Sequence, residues 1–554
     1  MHAEMKMPPA SGGGHPPRTP WNKMAKFPCG LVVAGVRSGC GKTSVALGLM
    51  RALSRRGLAV QPFKAGPDFI DPGHHALAAG RASHNLDDWM CGPDGVREIF
   101  SRYAAGADVV VVEGVMGLFD GISATDESGS TARLAKLLGL PVLLVADAAS
   151  MARSVAAMVG GYLAFDPDLR FCGVALNNAG SDSHAALLSE AMAAALPDAP
   201  LWGVLPRRAD IAAPSRHLGL VTAEDSGDAA RLDALADWLE AAMDLPARLA
   251  ALPTLHRVSA TKPCHAVSPP SPLSRGSGGI HGSENQHDPL HRVSAPAHRP
   301  FPHPHARLSR GSGGDDPPRP PEASSSSSSP SSSLSLFPPP LARPVTLAVA
   351  RDRAFCFYYA ENLRLLAAAG ARLAEFSPLA DGALPEGADG LYLGGGYPEL
   401  HGERLAANAA MRRSVREFCL SGRPVLAECG GFMYLMEALS DLSGRQHAMC
   451  GVFPLRAAMG TRFAALGYRE ATTRAATLLG PAGMVVRGHE FHYSRLAGET
   501  AGVPAVYAMT GRRGAIDAPE GFTMNGTLGS YVHLHFASAP DVAAHFVAAC
   551  AESR

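Results

Sequence analysis

The sequence predicts two α/β domains, the first built on a parallel sheet covered on both faces, separated by a long low-complexity linker. Three observations carry that prediction. Aliphatic runs alternate with helical patterns over residues 28–250. That grammar stops over 251–343, where Ser, Pro, His, Gly and Arg dominate. It resumes over 344–550 with different signature residues, so the second half is not a duplication of the first. At 554 residues the chain is too long for one typical core.

In the first domain GLVVAG (30–35) is strand-like and leads through a Gly-rich turn into SVALGLMRALSRRG (44–57), whose apolar residues recur at helical spacing. LAVQPFK (58–64), ADVVVVEG (107–114), LPVLLVAD (140–147), FCGVALNN (171–178) and LWGVLP (201–206) are further strands. Continuous Val/Leu runs separated by helices imply parallel strands buried on both sides. In the second domain PVTLAVARD (344–352) is a strand, and ENLRLLAAAGARLAEFSPL supplies a helix and a second strand. ADGLYLGGG (388–396) enters a glycine loop, a helix follows, and RPVLAECGGFMYLMEAL (423–439) closes the pattern.

The segment 251–343 reads as a flexible linker. Its repeated phrases, HRVSA and SRGSGG, and its serine run carry almost no apolar residues that could form a core. Residues 1–27 read as a polar, disordered tail, or as sequence upstream of the true translation start. Lys+Arg and Asp+Glu are both 50, which gives no long-range attraction to nucleic acid or anionic lipid. No run of 18 uncharged apolar residues proposes a membrane span. Ten cysteines without paired CxxC units point to a reducing, cytoplasmic setting, with organelle targeting left open.

The first chemical signature is Gly35-Val-Arg-Ser-Gly-Cys-Gly-Lys-Thr43. Gly35 stands one residue too early for the strict phosphate-loop spacing, but a strand, a glycine turn and a helix opening at Lys-Thr are the right architecture. Gly39, Gly41, Lys42 and Thr43 are the nucleotide-binding candidates, with Lys42 neutralising phosphate and the Thr43 hydroxyl suited to Mg²⁺. Lys64, Asp68 and Glu113 follow other predicted strands and so point toward the same crevice. Asp68 and Glu113 offer the hard oxygens that Mg²⁺ prefers, and Lys64 can face an anionic intermediate.

The second signature is AECGGFMYL. Cys429 follows a strand and precedes a helix, and Gly430 and Gly431 permit a tight turn. This is the arrangement of an exposed nucleophile assisted by a helix N-terminus. SYVHLHF carries His533 and His535, which a strand would place on one side; spacing does not choose between them. The loop Gly394-Gly-Gly-Tyr-Pro-Glu399 is expected to frame the pocket with backbone donors for an oxyanion.

The first domain resembles the dethiobiotin synthetase type of P-loop domain. PFKAGPDFIDPGHH (62–75), NLDDWM (85–90), EGVMGLFDG (113–121) and PSRHLGL (214–220) resemble cobyrinic acid a,c-diamide synthases more specifically. With the class I glutamine amidotransferase pattern of the second domain, the resemblance covers nearly all of 28–250 and 344–545. It implies a ligase that uses ATP, Mg²⁺ and glutamine to convert the a- and c-acetates of a corrin polycarboxylate into amides. It also implies Cys429 as nucleophile and His533, not His535, as its base. The third acidic partner stays open: Asp517 and Glu520 are near in sequence, and GHEFHYS (488–494) brings His489, Glu490 and His492 near the site or its interface. Hydrogenobyrinic acid and nickel-sirohydrochlorin are alternative substrates, and a homodimer is left open. A P-loop regulatory protein fused to a binding domain is the alternative from another class; the intact Cys429/His533 pair counts against it.

Overall fold

The computed structural model describes residues 29–211, 229–255, 344–498, 500 and 502–553. The expected tail, the linker beyond residue 255 and the phrase at 214–220 lie outside the described residues.

The first domain alternates strand and helix. It runs β1 (Cys29–Gly35), α1 (Lys42–Arg55), β2 (Val60–Ala65), α2 (Ile70–Ala79), β3 (His84–Leu86), α3 (Asp88–Ala104) and β4 (Val109–Glu113). It continues with α4 (Thr131–Leu138), β5 (Val142–Asp147), α5 (Ser154–Phe165), β6 (Phe171–Ala179), α6 (Asp182–Ala195), β7 (Leu201–Pro206), α7 (Ala229–Ala242) and α8 (Leu245–Ala250). The seven strands are parallel, in the order β3-β2-β4-β1-β5-β6-β7. Val110, Val111 and Val112 are buried with Leu31, Val32 and Val33 on the neighbouring strand, as continuous aliphatic runs require. Each fully buried Val or Leu contributes roughly 1.5–3 kcal/mol. Thr254 bridges back to Cys29 and Leu255 packs on this core, so ordered chain continues through residue 255.

The second domain has a six-stranded sheet in the order β20-β21-β11-β10-β8-β9. Its strands are β8 (Val345–Ala350), β9 (Ala371–Phe376), β10 (Gly390–Leu393), β11 (Val425–Glu428), β20 (Phe522–Met524) and β21 (Thr527–Ser530). Apolar clusters lie on both faces. The domain also carries a four-stranded and a five-stranded sheet that the aliphatic pattern does not foretell. The latter pairs β15 (Ala465–Thr473) with β16 (Val485–His492), and β16 with the two-residue β22 (His533–Leu534). The expected strand through SYVHLHF is thus cut short. Asn362 replaces its ladder: Nδ2 donates to the Leu534 carbonyl at 2.7 Å and Oδ1 accepts from Phe536 N at 2.8 Å. The chain turns into a 3₁₀ segment, Phe536–Ser538, and His535 leaves the face of His533 to accept from Ala537 N.

The two domains share packing. Tyr359 belongs to the core of the first domain, with Tyr468 and Ala537 against it. The NLDDWM segment forms much of this junction. Asp87 Oδ1 accepts from Trp89 N and Met90 N to cap α3, while Oδ2 accepts from the Tyr468 hydroxyl at 2.6 Å. Trp89 packs on Tyr468, and Arg487 donates to the Trp89 carbonyl.

Burial pushes the Asp87 carboxyl up to about 6, with the Tyr468 hydroxyl opposing. An unfolded aspartate titrates near ~3.9, so the protonated carboxyl favours the fold at low pH and that contribution is lost as pH rises through about 6. Tyr468→Phe removes the donor that steadies the charged form. It should therefore cost about 1–3 kcal/mol at pH 8 and less at pH 5, read by urea denaturation. An equal loss at both pH values would assign the effect to packing alone.

Candidate functional site

Gly41 precedes α1 at φ 97°, and a Cβ there would lie 2.0 Å from Asn177 Nδ2. That nitrogen donates to the Cys40 carbonyl, so the phosphate loop closes against β6 only with glycine at this position. Gly39 is also left-handed, at φ 75°. Lys42 heads the helix and is buried.

Glu113, at the end of β4, is wholly buried and meets three elements. Thr43 donates to its Oε1 at 2.6 Å, Lys64 Nζ lies 3.0 Å from the same oxygen, and His75 Nε2 lies 2.6 Å from Oε2. Lys64 also pairs with Asp71 at 2.5 Å. Asp68 Oδ1 accepts from the amides of Ile70 and Asp71 at the start of α2. Burial alone would neutralise Lys64, but Asp71, Glu113 and Asp68 hold it charged, well above the usual lysine range. Burial likewise opposes the charge on Glu113, yet Lys64, His75 and Thr43 hold its carboxyl below the usual range. Asp71 is pushed up to about 7 by burial and by Asp68 and Glu113. Three carboxylates around one lysine leave surplus negative charge beside a phosphate loop, and their hard oxygens suit Mg²⁺. Asp71 and His75 were not singled out from sequence; their i,i+4 spacing on one helix face was the available signal.

Cys429 follows β11 at φ 48°, a strained angle for a non-glycine residue. Its amide donates to the Ser530 carbonyl at 2.7 Å, and α12 (Gly430–Leu435) begins directly after it. A Cβ on Gly431 would meet the Leu393 carbonyl oxygen at 2.2 Å, so the elbow needs glycine. The preceding Glu428 accepts from Leu534 N at 2.9 Å and from the Tyr392 hydroxyl at 2.8 Å. This pins the residue before Cys429 to the residue after His533. The expected exposure of the nucleophile is not found: Cys429 is buried, and burial with the nearby Glu399 carboxylate raises its thiol well above the usual range.

His533 is buried against Gly395, its Nδ1 lacks a hydrogen-bond partner, and burial with His489 and His492 nearby pulls it down to about 3. The imidazole is therefore neutral in the resting site. Phe69 of the first domain packs on it with ring centroids 4.7 Å apart. His535 instead packs on Tyr359 and Cys91. Glu520 is occupied by the amides of Gly521 and Tyr531, and Asp517 is exposed.

Cys429 lines a cavity of ≈ 30 Å³ together with Tyr397, Glu399, Met433, Met459 and His492. The cavity is narrow and Cys429 in its wall is buried. His492 is bonded to Glu490 at 2.8 Å, and Glu490 to Arg469 at 2.6 Å. Glu399 was expected only as the end of a glycine loop.

Two family models match the chain. Residues 31–221 match the CobQ/CobB/MinD/ParA nucleotide binding domain, and residues 346–541 match the CobB/CobQ-like glutamine amidotransferase domain. The combination defines a glutamine-dependent, ATP-using amidoligase. A hydrogenobyrinate a,c-diamide synthase of Streptomyces coelicolor is 43% identical over 94% of this chain and 98% of its own length. Cobyrinate a,c-diamide synthases of Syntrophotalea carbinolica and Salmonella typhimurium are 41% and 37% identical, each over 94% of this chain and 98% and 97% of their own lengths. The chain belongs to the a,c-diamide synthase family.

Phe69 begins the approach to α2 and also walls His533. Phe69→Ala should lower glutamine hydrolysis by about 10-fold or more through misplacement of the imidazole. Phe69→Leu, which keeps an apolar wall, should lose less. Steady-state glutamate release measures both; equal rates in the two variants and the parent would rule out this support role.

Proposed function

We propose that this chain amidates the a- and c-acetates of cobyrinic acid, consuming ATP and glutamine in cobalamin biosynthesis. The observation that carries the proposal is the pairing of a charged phosphate-loop cluster with a cysteine elbow in relatives-length agreement with synthases of this name. A second reading, with hydrogenobyrinic acid as substrate, is favoured by the 43% identical relative.

Carboxylates are poor electrophiles, and the first site addresses that. Lys42 and the Gly39–Gly41 loop hold the ATP phosphates, Lys64 balances the Glu113 and Asp71 carboxylates it is paired with and does not itself face the acyl phosphate, and Thr43, Asp68 and Glu113 would hold Mg²⁺. When bound, Mg²⁺ withdraws charge from the phosphoryl group being transferred. The γ-phosphoryl group passes to a substrate carboxylate oxygen, leaving ADP. Ammonia then attacks the acyl carbon and phosphate departs.

The second site supplies the ammonia. His533 takes the Cys429 thiol proton as sulfur attacks the side-chain amide carbon of glutamine. It returns the proton to the departing nitrogen, and water cleaves the glutamyl thioester to glutamate. The backbone amides of Gly396 in the loop and Gly430 at the elbow stabilise the oxyanion; those of Gly394, Gly395, Cys429 and Gly431 already donate within the protein. An alternative base is His492, since it borders the same cavity as Cys429 and is held by Glu490. Separate His533→Ala and His492→Ala variants decide: the base variant should lose at least about 10²-fold in glutamine hydrolysis, and comparable mild losses in both would remove either histidine from that role.

The division of labour is tested by mass spectrometry of reactions offering each tetrapyrrole with ATP, Mg²⁺ and glutamine or ammonium. Cys429→Ala should form diamide from ammonium at mildly alkaline pH but not from glutamine. Lys42→Ala should form none from either source while retaining some glutamine hydrolysis. Normal glutamine-dependent amidation by folded Cys429→Ala, or normal ligation by Lys42→Ala, would overturn the assignment.

A further inference from the structure

The cavity beside Cys429 holds a feature that ammonia release does not use. Glu399 sits in the 3₁₀ segment Pro398–His401, one residue beyond the Pro398 ring that lies against the elbow glycine Gly430. The residue is 8% exposed, lines the cavity, and its Oε2 has no hydrogen-bond partner. A buried acceptor without a donor is costly, and such an atom in a cavity wall marks a place where a ligand supplies the donor. Tyr397, on the same wall, has a hydroxyl that is also unpartnered.

We propose that Glu399 is the receptor for the α-ammonium of L-glutamine, with the Tyr397 hydroxyl donating to its α-carboxylate. The assignment deepens the proposed glutaminase reaction and rests on Cys429 as its nucleophile. An amino acid delivered to Cys429 by its side-chain amide must place its charged head elsewhere in the same cavity. A carboxylate and a hydroxyl donor complement that head in charge and in hydrogen-bond sense. Burial pushes the Glu399 carboxyl up to about 7, opposed by its own backbone amide. An arriving ammonium restores the ionised form.

The same contact bears on reactivity. Glu399 is the first charged neighbour that raises the Cys429 thiol, followed by Glu490 and Glu428; Tyr397, His492 and Tyr493 line the same cavity, and Tyr531 lies near the thiol. With the substrate's ammonium paired to it, the ionised Glu399 carboxylate adds no net charge that would oppose a thiolate.

The experiment compares L-glutamine with glutaramate, which is glutamine without its α-amino group, in the full-length enzyme. The parent should prefer glutamine strongly by kcat/KM for hydrolysis. Glu399→Gln, close to isosteric, should reduce the glutamine-to-glutaramate ratio by about 10- to 100-fold, the loss of one charge-assisted contact. Glu399→Asp should retain most of the ratio, and Tyr397→Phe should lower both substrates together. Ammonium-dependent amidation should persist in all three, showing that the fold and the ATP site are intact. A structural defect lowers both rates and leaves the ratio unchanged, so an unchanged ratio in Glu399→Gln overturns the proposal. If Cys429→Ala continues to hydrolyse both compounds, the cavity is not the glutamine site and Glu399 loses its role with it; that outcome identifies the nucleophile as the error.

Discussion

The fully buried carboxylate of Glu113 is the constraint around which the first domain is arranged. A lone buried charge is prohibitively costly, so it must be matched by groups held close in a fixed geometry. Here the matching groups come from three elements: Thr43 from α1, Lys64 from β2 and His75 from α2. Glu113 therefore ties the helix that opens at the phosphate loop to both the strand and the helix of the next unit. Moving any one of them costs the buried carboxylate a hydrogen bond or its lysine ion pair, which favours this arrangement of the three elements.

That arrangement extends past the nucleotide side. Lys64 holds Asp71 on α2, and Asn85 Nδ2 donates to the carbonyls of Gly66 and Asp68. The short loop between β2 and α2 is thus fixed at both ends, and it presents Phe69 to His533, Tyr359 and Phe357 of the other domain. Across the junction Glu428 fixes the Cys429 elbow to the strand of His533. A continuous set of packed groups joins the two sites, although their signature motifs lie hundreds of residues apart.

Much of this was legible in the sequence because the relevant signals are local. VVVVE and GLVVAG read as buried parallel strands, and the glycines at 39, 41, 430 and 431 marked the two turns. The half-buried strands were not legible for an equally physical reason. Tyr468, Arg469 and Glu470 look like solvent-facing residues, yet Tyr468 closes on Asp87 from 381 positions away. Periodicity identifies a buried face only when the face is apolar, and this junction is built from hydroxyls, carboxylates and aromatic rings. His533 and His535 looked like one strand face because nothing local announces that Asn362 will take over the backbone bonds of Leu534 and Phe536. The burial of Cys429 was hidden similarly: an elbow glycine pair shows that a nucleophile can be presented, but not how tightly the pocket closes over it.

That closure shapes the resting chemistry. Burial raises the Cys429 thiol and lowers the His533 imidazole, so both shifts favour the uncharged pair. Forming a thiolate at the buried Cys429 and an imidazolium at the buried His533 would create two poorly solvated charges. A polar substrate brings hydrogen-bonding groups with it and lessens that penalty. On the proposed reaction, the same enclosure that raises the thiol strengthens the oxyanion contacts once the amide is in place, because charge is stabilised more effectively by fixed dipoles in a dry pocket than in water. The buried elbow favours restraint in the empty site and leaves activation to the substrate.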